Sequence, residues 1–185
     1  MAQDWLYDID ESWTLFLDRD GVINKKLEGY VMSPEQLYIL PGVLESLYLL
    51  KSVFYKILIV TNQQGIGREL MTHFDLEAVH KNLIEQVENA HGKIDQIYYS
   101  PDLAYLDSYT RKPAPGMAIQ AQKDFPFINF EKSIIVGDSQ SDIEFGNNLG
   151  FKTVWIENER PCEGYDMKAD SLKEFADILL GAVNQ

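Results

Sequence analysis

The amino-acid sequence predicts an α/β fold built on a doubly wound, mainly parallel β-sheet. Short apolar runs rich in β-branched residues alternate with segments whose apolar residues recur at helical spacing. The run KILIVT at 56–61 is apolar almost throughout, which is typical of a parallel strand covered on both faces. Regular alternation of strand and helix implies right-handed crossover connections between parallel strands.

Five strands and five helices are predicted in this alternating order. The predicted strands are 13–18, 56–61, 94–99, 133–137 and 153–156. The predicted helices are 42–51, 72–90, 115–125, 141–149 and 171–183. Three stretches show neither the helical nor the strand spacing of apolar residues and are predicted to be loops: 25–41, 100–112 and 160–170.

The length and composition indicate a single soluble globular domain spanning residues 1–185, with 45% hydrophobic and 24% charged residues. There is no internal repeat, and no apolar run is long enough for a membrane helix. The N-terminal segment lacks the basic-then-apolar order of a secretory signal, and the single cysteine, Cys162, excludes an intrachain disulfide. We therefore expect a cytoplasmic protein, as a monomer or small homo-oligomer.

The net charge of −13 argues against a nucleic-acid partner or an anionic membrane surface. It also means that an anionic substrate would need a local cluster of cations at its binding site. A metal ion and a few basic side chains could supply such a cluster.

The first four predicted strands each lead into polar residues suited to phosphoryl transfer. These residues are Asp18 and Asp20, Thr61 and Asn62, Arg111 and Lys112, and Asp138 and Asp142. Because ligands bind beyond the carboxyl ends of parallel strands, we expect these side chains to share one site. Carboxylates can hold Mg²⁺, while a hydroxyl, an amide and a lysine can bind phosphate oxygens.

The simplest alternative for the paired carboxylates Asp18 and Asp20 is a solvated turn, since Asp and Gly are common turn residues. A metal-assisted site is favoured instead, because all four strands lead into residues suited to phosphoryl transfer. Neighbouring carboxylates repel each other unless a cation or a shared proton lies between them.

The motifs FLDRDGVIN, VTNQQGIGR, RKPAPGM and VGDSQSD resemble, in order, the four motifs of the haloacid dehalogenase (HAD) superfamily. They are most similar to those of its small-cap branch, which contains D,D-heptose 1,7-bisphosphate phosphatases and histidinol-phosphatases, and EGYV and IYYSP strengthen this similarity. The resemblance covers residues 13–156. It implies a Rossmann-like, HAD-like fold with a minimal cap or none.

The resemblance also implies roles for the carboxylates. Asp18 would attack phosphorus to form an aspartyl-phosphate and would ligate Mg²⁺. Asp20 would act as general acid and base, and its main-chain carbonyl would bind the metal. Asp138 would complete the metal site. Asp142 would support the metal site through another ligand or through water, or would only cap the following helix.

The phosphate-binding residues follow in the same way. Thr61 and Asn62 would bind the transferring phosphoryl group, and Lys112 would balance charge between Asp18 and the phosphate. Arg111 would contact substrate phosphate or form a surface salt bridge, and Arg68 is a possible substrate contact near the turn QQGIGR.

One loop departs from the branch. Many members carry a zinc-binding loop just before the third motif, whereas residues 100–112 contain neither cysteine nor histidine. We therefore expect no structural zinc, which usually requires four such ligands. Apolar packing of Leu103, Tyr105, Leu106 and Tyr109 is predicted to hold the loop. His73, His80 and His91 are predicted to be ordinary residues of the long helix or its ends.

The expected function is that of a Mg²⁺-dependent phosphatase acting on a small phosphorylated metabolite. A D,D-heptose 1,7-bisphosphate-type sugar is the first substrate choice, and histidinol phosphate is the second. A phospho-acceptor or binding domain without turnover is the non-enzymatic alternative. The presence of Asp20 two residues after Asp18 favours turnover, because a phospho-acceptor domain does not need a general acid there.

Overall fold

The computed structural model describes residues 4–183, so residues 1–3 and 184–185 of the predicted 1–185 domain lie outside the described part. Six parallel strands form one sheet in the order β3-β2-β1-β4-β5-β6. The strands are β1 (Thr14–Leu17), β2 (Lys56–Asn62), β3 (Gln96–Ser100), β4 (Ser133–Gly137), β5 (Lys152–Ile156) and β6 (Met167–Ala169). The predicted doubly wound parallel sheet is thereby confirmed.

All five predicted helices are present, each within two residues of its predicted ends. They are α1 (Val43–Leu50), α2 (His73–Asn89), α3 (Gly116–Asp124), α4 (Gln140–Leu149) and α5 (Leu172–Val183).

The prediction of a loop over 160–170 is wrong in part, because β6 lies within it and pairs with β5. β6 is an edge strand of three residues, in which Met167 and Ala169 are buried and Lys168 is exposed. One exposed lysine between two apolar residues gives no run long enough to indicate a strand.

The sheet has an apolar core on each face. Leu15 and Leu17 of β1 pack toward α1, α2 and α5, whereas Phe16 packs toward α3 and α4. All three β1 side chains are fully buried. Because successive strand residues point to opposite faces, only a strand that is apolar throughout can satisfy both cores.

The strand order reverses beside β1. The chain runs outward through β2 and β3 on one side, and through β4, β5 and β6 on the other. This switch point opens a crevice at the carboxyl ends of β1 and β4, where open α/β sheets bind ligands.

A short flap of residues 23–40 follows β1. The Lys25 N–H donates to the Tyr38 carbonyl at 2.8 Å, and the Leu40 N–H donates to the Ile23 carbonyl at 2.9 Å. Between β1 and β2 the described chain contains this flap and α1, and between β2 and β3 it contains α2, so neither connection adds a cap domain. Within residues 4–183, no helix has the length and apolar character needed to cross a membrane.

Candidate active site

A cavity of about 290 Å³ lies at the carboxyl ends of β1, β2 and β4. Its walls carry the predicted site residues Asp18, Asp20, Thr61, Asn62, Arg111, Lys112 and Asp138. The flap contributes Lys26 and Tyr30, and the segment after β5 contributes Arg160. Seven side chains from four separated motifs therefore meet in one place.

The Lys112 ammonium group links two of the carboxylates. Its Nζ donates to Asp18 Oδ1 at 2.9 Å, to the Val60 carbonyl at 2.7 Å and to Asp142 Oδ1. Burial alone would lower the pKa of Lys112, but the charges of Asp142 and Asp18 raise it above its ordinary value. Lys112 is therefore a fixed positive charge beside Asp18.

The Asp18 carboxyl is crowded by negative charge. Burial raises its pKa to about 7 despite the attraction of Lys112, and the nearby carboxylates of Asp142, Asp138 and Asp20 act in the same direction as burial. A further cation beside Asp18 would favour its ionised, nucleophilic form.

The acidic cluster of Asp18, Asp138 and Asp142 has the arrangement of a cation site. Each residue offers a carboxylate oxygen, and these oxygens lie within 4.8 Å of one another. Asp138 Oδ1 is buried without a hydrogen-bond partner, while Oδ2 accepts from Lys26 Nζ at 2.6 Å. Burial is the main cause that raises the pKa of Asp138. Three oxygen donors and one unpartnered buried oxygen fit a hard divalent cation.

Gly21 allows Asp138 to approach the turn after β1. The glycine has a φ of +92°, and a Cβ there would lie 2.3 Å from Asp138 Oδ2. Only a residue without a side chain fits both the backbone conformation and the close approach. This explains why a glycine directly follows Asp20.

Asp142 caps α4, as one of its two predicted roles requires, and its other oxygen contacts Lys112. Its Oδ2 accepts from the Ser139 N–H at 3.0 Å and so caps α4, while Oδ1 accepts from Lys112. The Asp142 side chain is fully buried and belongs to the acidic cluster.

The Asp20 carboxylate is held by four hydrogen bonds. Arg19 Nη2 donates to both oxygens at 3.0 and 2.9 Å, Asn24 Nδ2 donates to Oδ1 at 2.9 Å, and Gln63 Nε2 donates to Oδ2 at 2.8 Å. Burial pushes the pKa of Asp20 upward, but the Arg19 charge and these hydrogen bonds outweigh it and keep that pKa below its ordinary value. Asp20 is thus fixed at the cavity wall.

Two residues behind Asp20 were missed by sequence reasoning. Arg19 is fully buried, and its Nη1 lies 3.2 Å from Nε2 of the buried His80 on α2. His80 lies on α2, as predicted, but its buried contact with Arg19 was not predicted. The available signal was its position on the apolar stripe of α2, four residues after Leu76 and three before Leu83.

Thr61 and Asn62 both line the cavity, but their side chains differ in what they contact. Thr61 Oγ1 accepts from Gln63 Nε2 at 2.9 Å. Asn62 Oδ1 accepts from the Lys112 N–H at 3.0 Å, and Asn62 Nδ2 donates to the Lys112 carbonyl at 3.1 Å. The Asn62 amide therefore fixes the backbone that carries Lys112.

The two predicted arginines line different depressions of the surface. Arg111 lines the cavity, and its Nη1 donates to the Asp102 carbonyl at 3.0 Å. Arg68 is exposed and lies in an adjoining depression of about 1030 Å³, which Lys26 and Arg160 also line. Of the predicted residues, Arg68 and the fully buried Asp142 do not line the cavity that holds Asp18.

Comparison with known proteins identifies the family. The family model described as HAD-hydrolase-like matches residues 109–173. D-glycero-alpha-D-manno-heptose-1,7-bisphosphate 7-phosphatase of Mycobacterium bovis is 36% identical over 170 residues, which are 89% of this chain and 90% of the relative. D-glycero-beta-D-manno-heptose-1,7-bisphosphate 7-phosphatase of Rhodopseudomonas palustris is 33% identical over 151 residues, 78% of this chain and 83% of the relative.

The chain belongs to the haloacid dehalogenase-like phosphatases. The crystal structure of D,D-heptose 1,7-bisphosphate phosphatase from B. bronchiseptica, complexed with magnesium and phosphate, has a TM-score of 0.82 and 26% identity. This similarity covers 91% of the present chain and 98% of that chain. The predicted enzyme class, a HAD-type phosphatase that hydrolyses a phosphate monoester, is confirmed over the alternative of a domain without turnover.

The loop before the third HAD motif is held mainly by polar contacts, so the prediction of apolar packing is wrong for three of its four residues, and only Leu103 is half-buried. The predicted packing residues Tyr105, Leu106 and Tyr109 are exposed by 82%, 49% and 59%. Instead, the Asp102 carboxylate accepts from the Thr110 hydroxyl at 2.8 Å and from the Ser108 hydroxyl. Short hydroxyl side chains on both sides of an aspartate favour such a turn.

The buried imidazole of His80 makes a prediction about acid stability in this HAD phosphatase. Burial, aided by the Arg19 charge, lowers the pKa of His80 from 6.5 to about 3. Between these values the unfolded chain binds a proton that the folded chain does not, so stability falls as the pH decreases through this window. His80→Gln should flatten the pH dependence of the free energy of unfolding there, by up to about 1.4 kcal/mol per pH unit.

Urea denaturation at several pH values between the two pKa values measures this slope. His73→Gln on the same helix is the matched control and should keep the wild-type slope, because His73 is exposed and does not contact Arg19. Equal slopes for wild type and His80→Gln would contradict the prediction.

Proposed function

We propose that this phosphatase hydrolyses the phosphate ester of a D,D-heptose 1,7-bisphosphate-type sugar in a Mg²⁺-dependent reaction. The observation that carries the proposal is the Asp18 carboxylate, held by Lys112 beside two further carboxylates at the switch point of the sheet. The relatives and the similar crystal structure supply the sugar class, since they are named heptose bisphosphate phosphatases.

In the proposed first step, an Asp18 oxygen attacks phosphorus in line with the leaving group. The P–O bond to the sugar breaks as the bond to Asp18 forms. The negative charge of the bound phosphate opposes the effect of Arg19 and favours the protonated form of Asp20, which gives its proton to the departing alkoxide. Lys112, 2.9 Å from Asp18 Oδ1, balances the charge of the carboxylate against that of the phosphate.

The second step returns the enzyme to its starting state. Asp20, now ionised, takes a proton from water, and the water oxygen attacks the phosphorus of the aspartyl-phosphate. The P–O bond to Asp18 breaks, inorganic phosphate leaves, and Asp20 regains its proton. Arg19, Asn24 and Gln63 hold the Asp20 carboxylate at the cavity wall through both steps.

The acidic cluster is the proposed Mg²⁺ site. Asp18 and Asp138 would bind the ion through their carboxylates, Asp20 through its main-chain carbonyl, and Asp142 directly or through water. When bound, the ion would neutralise negative charge on the attacking carboxylate and on the phosphate. The unpartnered Asp138 Oδ1 supports this assignment.

Basic residues around the cavity support an anionic substrate despite the net charge of −13. Lys26, Arg111, Lys112 and Arg160 all line the cavity. Lys112 is committed to Asp18 and Asp142, and Lys26 pairs with Asp138, so Arg111 and Arg160 remain for substrate phosphate. Two remaining arginines are consistent with a substrate that carries two phosphate groups.

Phosphate release from purified enzyme tests the proposal. With Mg²⁺ we expect kcat/KM for one anomer of heptose 1,7-bisphosphate to exceed that for histidinol phosphate or fructose bisphosphate by at least about tenfold, or ~1.4 kcal/mol in transition-state binding. EDTA should abolish release, and added Mg²⁺ should restore it. Metal-independent release, or a clear preference for histidinol phosphate, would contradict the proposal.

A further inference from the structure

The surface of Asp20 that faces away from the cavity is supported by two buried residues from different elements. Arg19 joins both Asp20 oxygens, and His80 on α2 contacts the other end of the Arg19 guanidinium at 3.2 Å. We propose that Arg19 and His80 are positioning residues that orient the Asp20 carboxylate for proton transfer to the leaving group. This inference rests on the proposed function, in which Asp20 is the general acid.

Arg19 lies between the two aspartates in the segment that directly follows β1. Asp18 and Asp20 line the cavity, whereas Arg19 does not. Arg19 is fully buried, and its paired hydrogen bonds fix the position and the plane of the Asp20 carboxylate.

The orientation of Arg19 depends in turn on His80. A guanidinium can only donate, so His80 Nε2 must accept and the ring must be neutral. Arg19 Nε is buried without a hydrogen-bond partner, and within residues 4–183 Asp20 and His80 are the only side chains bonded to the guanidinium. Without His80, one end of Arg19 would be free to turn.

A purely structural role explains this arrangement less well. Burying a guanidinium costs free energy, and apolar residues of similar volume often stabilise a core as well or better. The chain of contacts from His80 through Arg19 also ends on a carboxylate that lines the catalytic cavity. Tyr99, whose ring packs edge-on against His80 at a centroid distance of 5.9 Å, restrains the imidazole from the other side.

Two substrates with different leaving groups can show whether His80 positions the general acid or only supports the fold. A sugar alkoxide needs a proton as it departs, whereas dinitrophenolate is stable without one. The first step alone, formation of the Asp18 phosphate, sets kcat/KM when that step is irreversible. The kcat/KM values for heptose 1,7-bisphosphate and 2,4-dinitrophenyl phosphate therefore report the same attack with and without a need for the acid.

Three variants make the comparison. His80→Leu should lower kcat/KM for heptose 1,7-bisphosphate by about 10- to 100-fold and that for 2,4-dinitrophenyl phosphate by less than about threefold, because only the acid contribution is lost. His80→Gln retains an acceptor oxygen and should recover much of the loss. His73→Leu, on the same helix and also beside Tyr99, should leave both values unchanged.

Each other outcome overturns the inference. Equal losses on both substrates in a folded His80→Leu protein would show a structural role, and thermal unfolding of each variant checks the fold. No loss on either substrate would show that Arg19 is held without His80. Failure of the wild-type enzyme on both substrates would instead overturn the proposed function, and the inference with it.

Discussion

Asp18→Asn is expected to abolish phosphate release, with kcat reduced by at least about 10⁴-fold, because an amide cannot replace the attacking carboxylate. The uncatalysed hydrolysis of phosphate monoesters is among the slowest reactions known, so a small residual rate remains measurable. Continuous phosphate detection with heptose 1,7-bisphosphate and Mg²⁺ gives the rate.

The same variant should remain folded. The Asp18 pKa of about 7 lies above its ordinary value of 3.8, so the stability that its protonated form contributes is lost as the pH rises through that range. In metal-free buffer above neutral pH, Asp18→Asn removes this unfavourable ionisation and should unfold no more easily than wild type.

Glu131→Gln is the matched control for Asp18→Asn. Glu131 is exposed in the 3₁₀ turn Phe130–Lys132, before β4 and at the opposite end of that strand from the site. It should change neither turnover nor stability. An Asp18→Asn rate within about tenfold of wild type would contradict the assignment of Asp18 as nucleophile.

Asp20→Asn is expected to lower kcat/KM for the heptose bisphosphate by about 10²- to 10⁴-fold, the usual contribution of general acid catalysis. The loss on 2,4-dinitrophenyl phosphate should be much smaller. A separate effect on stability follows, since the buried Arg19 loses its carboxylate partner, and the free energy of unfolding should fall by about 3 kcal/mol. Urea denaturation measures that cost independently of turnover.

A double-mutant cycle connects Asp20 to His80. If His80 acts only through Asp20, adding His80→Leu to Asp20→Asn should lower kcat/KM for the heptose bisphosphate no further. Fully additive losses would mean that the two residues act independently. Near-normal turnover of Asp20→Asn itself would remove Asp20 from the mechanism.

The sequence predicted most of the fold because inner strands of a parallel sheet are apolar on both faces. β1, β2 and β4 therefore appear as short, nearly continuous apolar runs, whereas α2 has its apolar residues three or four positions apart. β6 lacks this property, since it is a three-residue edge strand with an exposed central lysine. Its position depends on pairing with β5, which no local pattern encodes.

The location of the site was also predictable, because it follows from the parallel arrangement of the strands. Residues at the carboxyl ends of parallel strands, or directly after them, meet at one edge of the sheet, as Asp18, Thr61 and Asp138 do. The contacts behind them were not predictable in this way. Arg19 and His80 lie 61 residues apart, and their contact depends on how α2 packs across the sheet.

The loop 100–112 shows a different limit. Its tyrosines and leucines suggested a small apolar cluster. The loop is too short to bury these side chains, and polar contacts hold it without them. The hydroxyls that surround Asp102 hold the turn instead, and Tyr105 and Tyr109 remain exposed. Periodicity cannot identify such contacts, because a turn has none.

Mass spectrometry of acid-quenched enzyme during turnover tests the central claim most directly. With Mg²⁺ and heptose 1,7-bisphosphate, peptide mapping should locate one phosphoryl group on Asp18. The group should be absent after EDTA treatment and should accumulate in Asp20→Asn supplied with 2,4-dinitrophenyl phosphate, because the second step then lacks its base. Steady phosphate release with no phosphoryl group on Asp18, or with the group on another residue, would contradict the account.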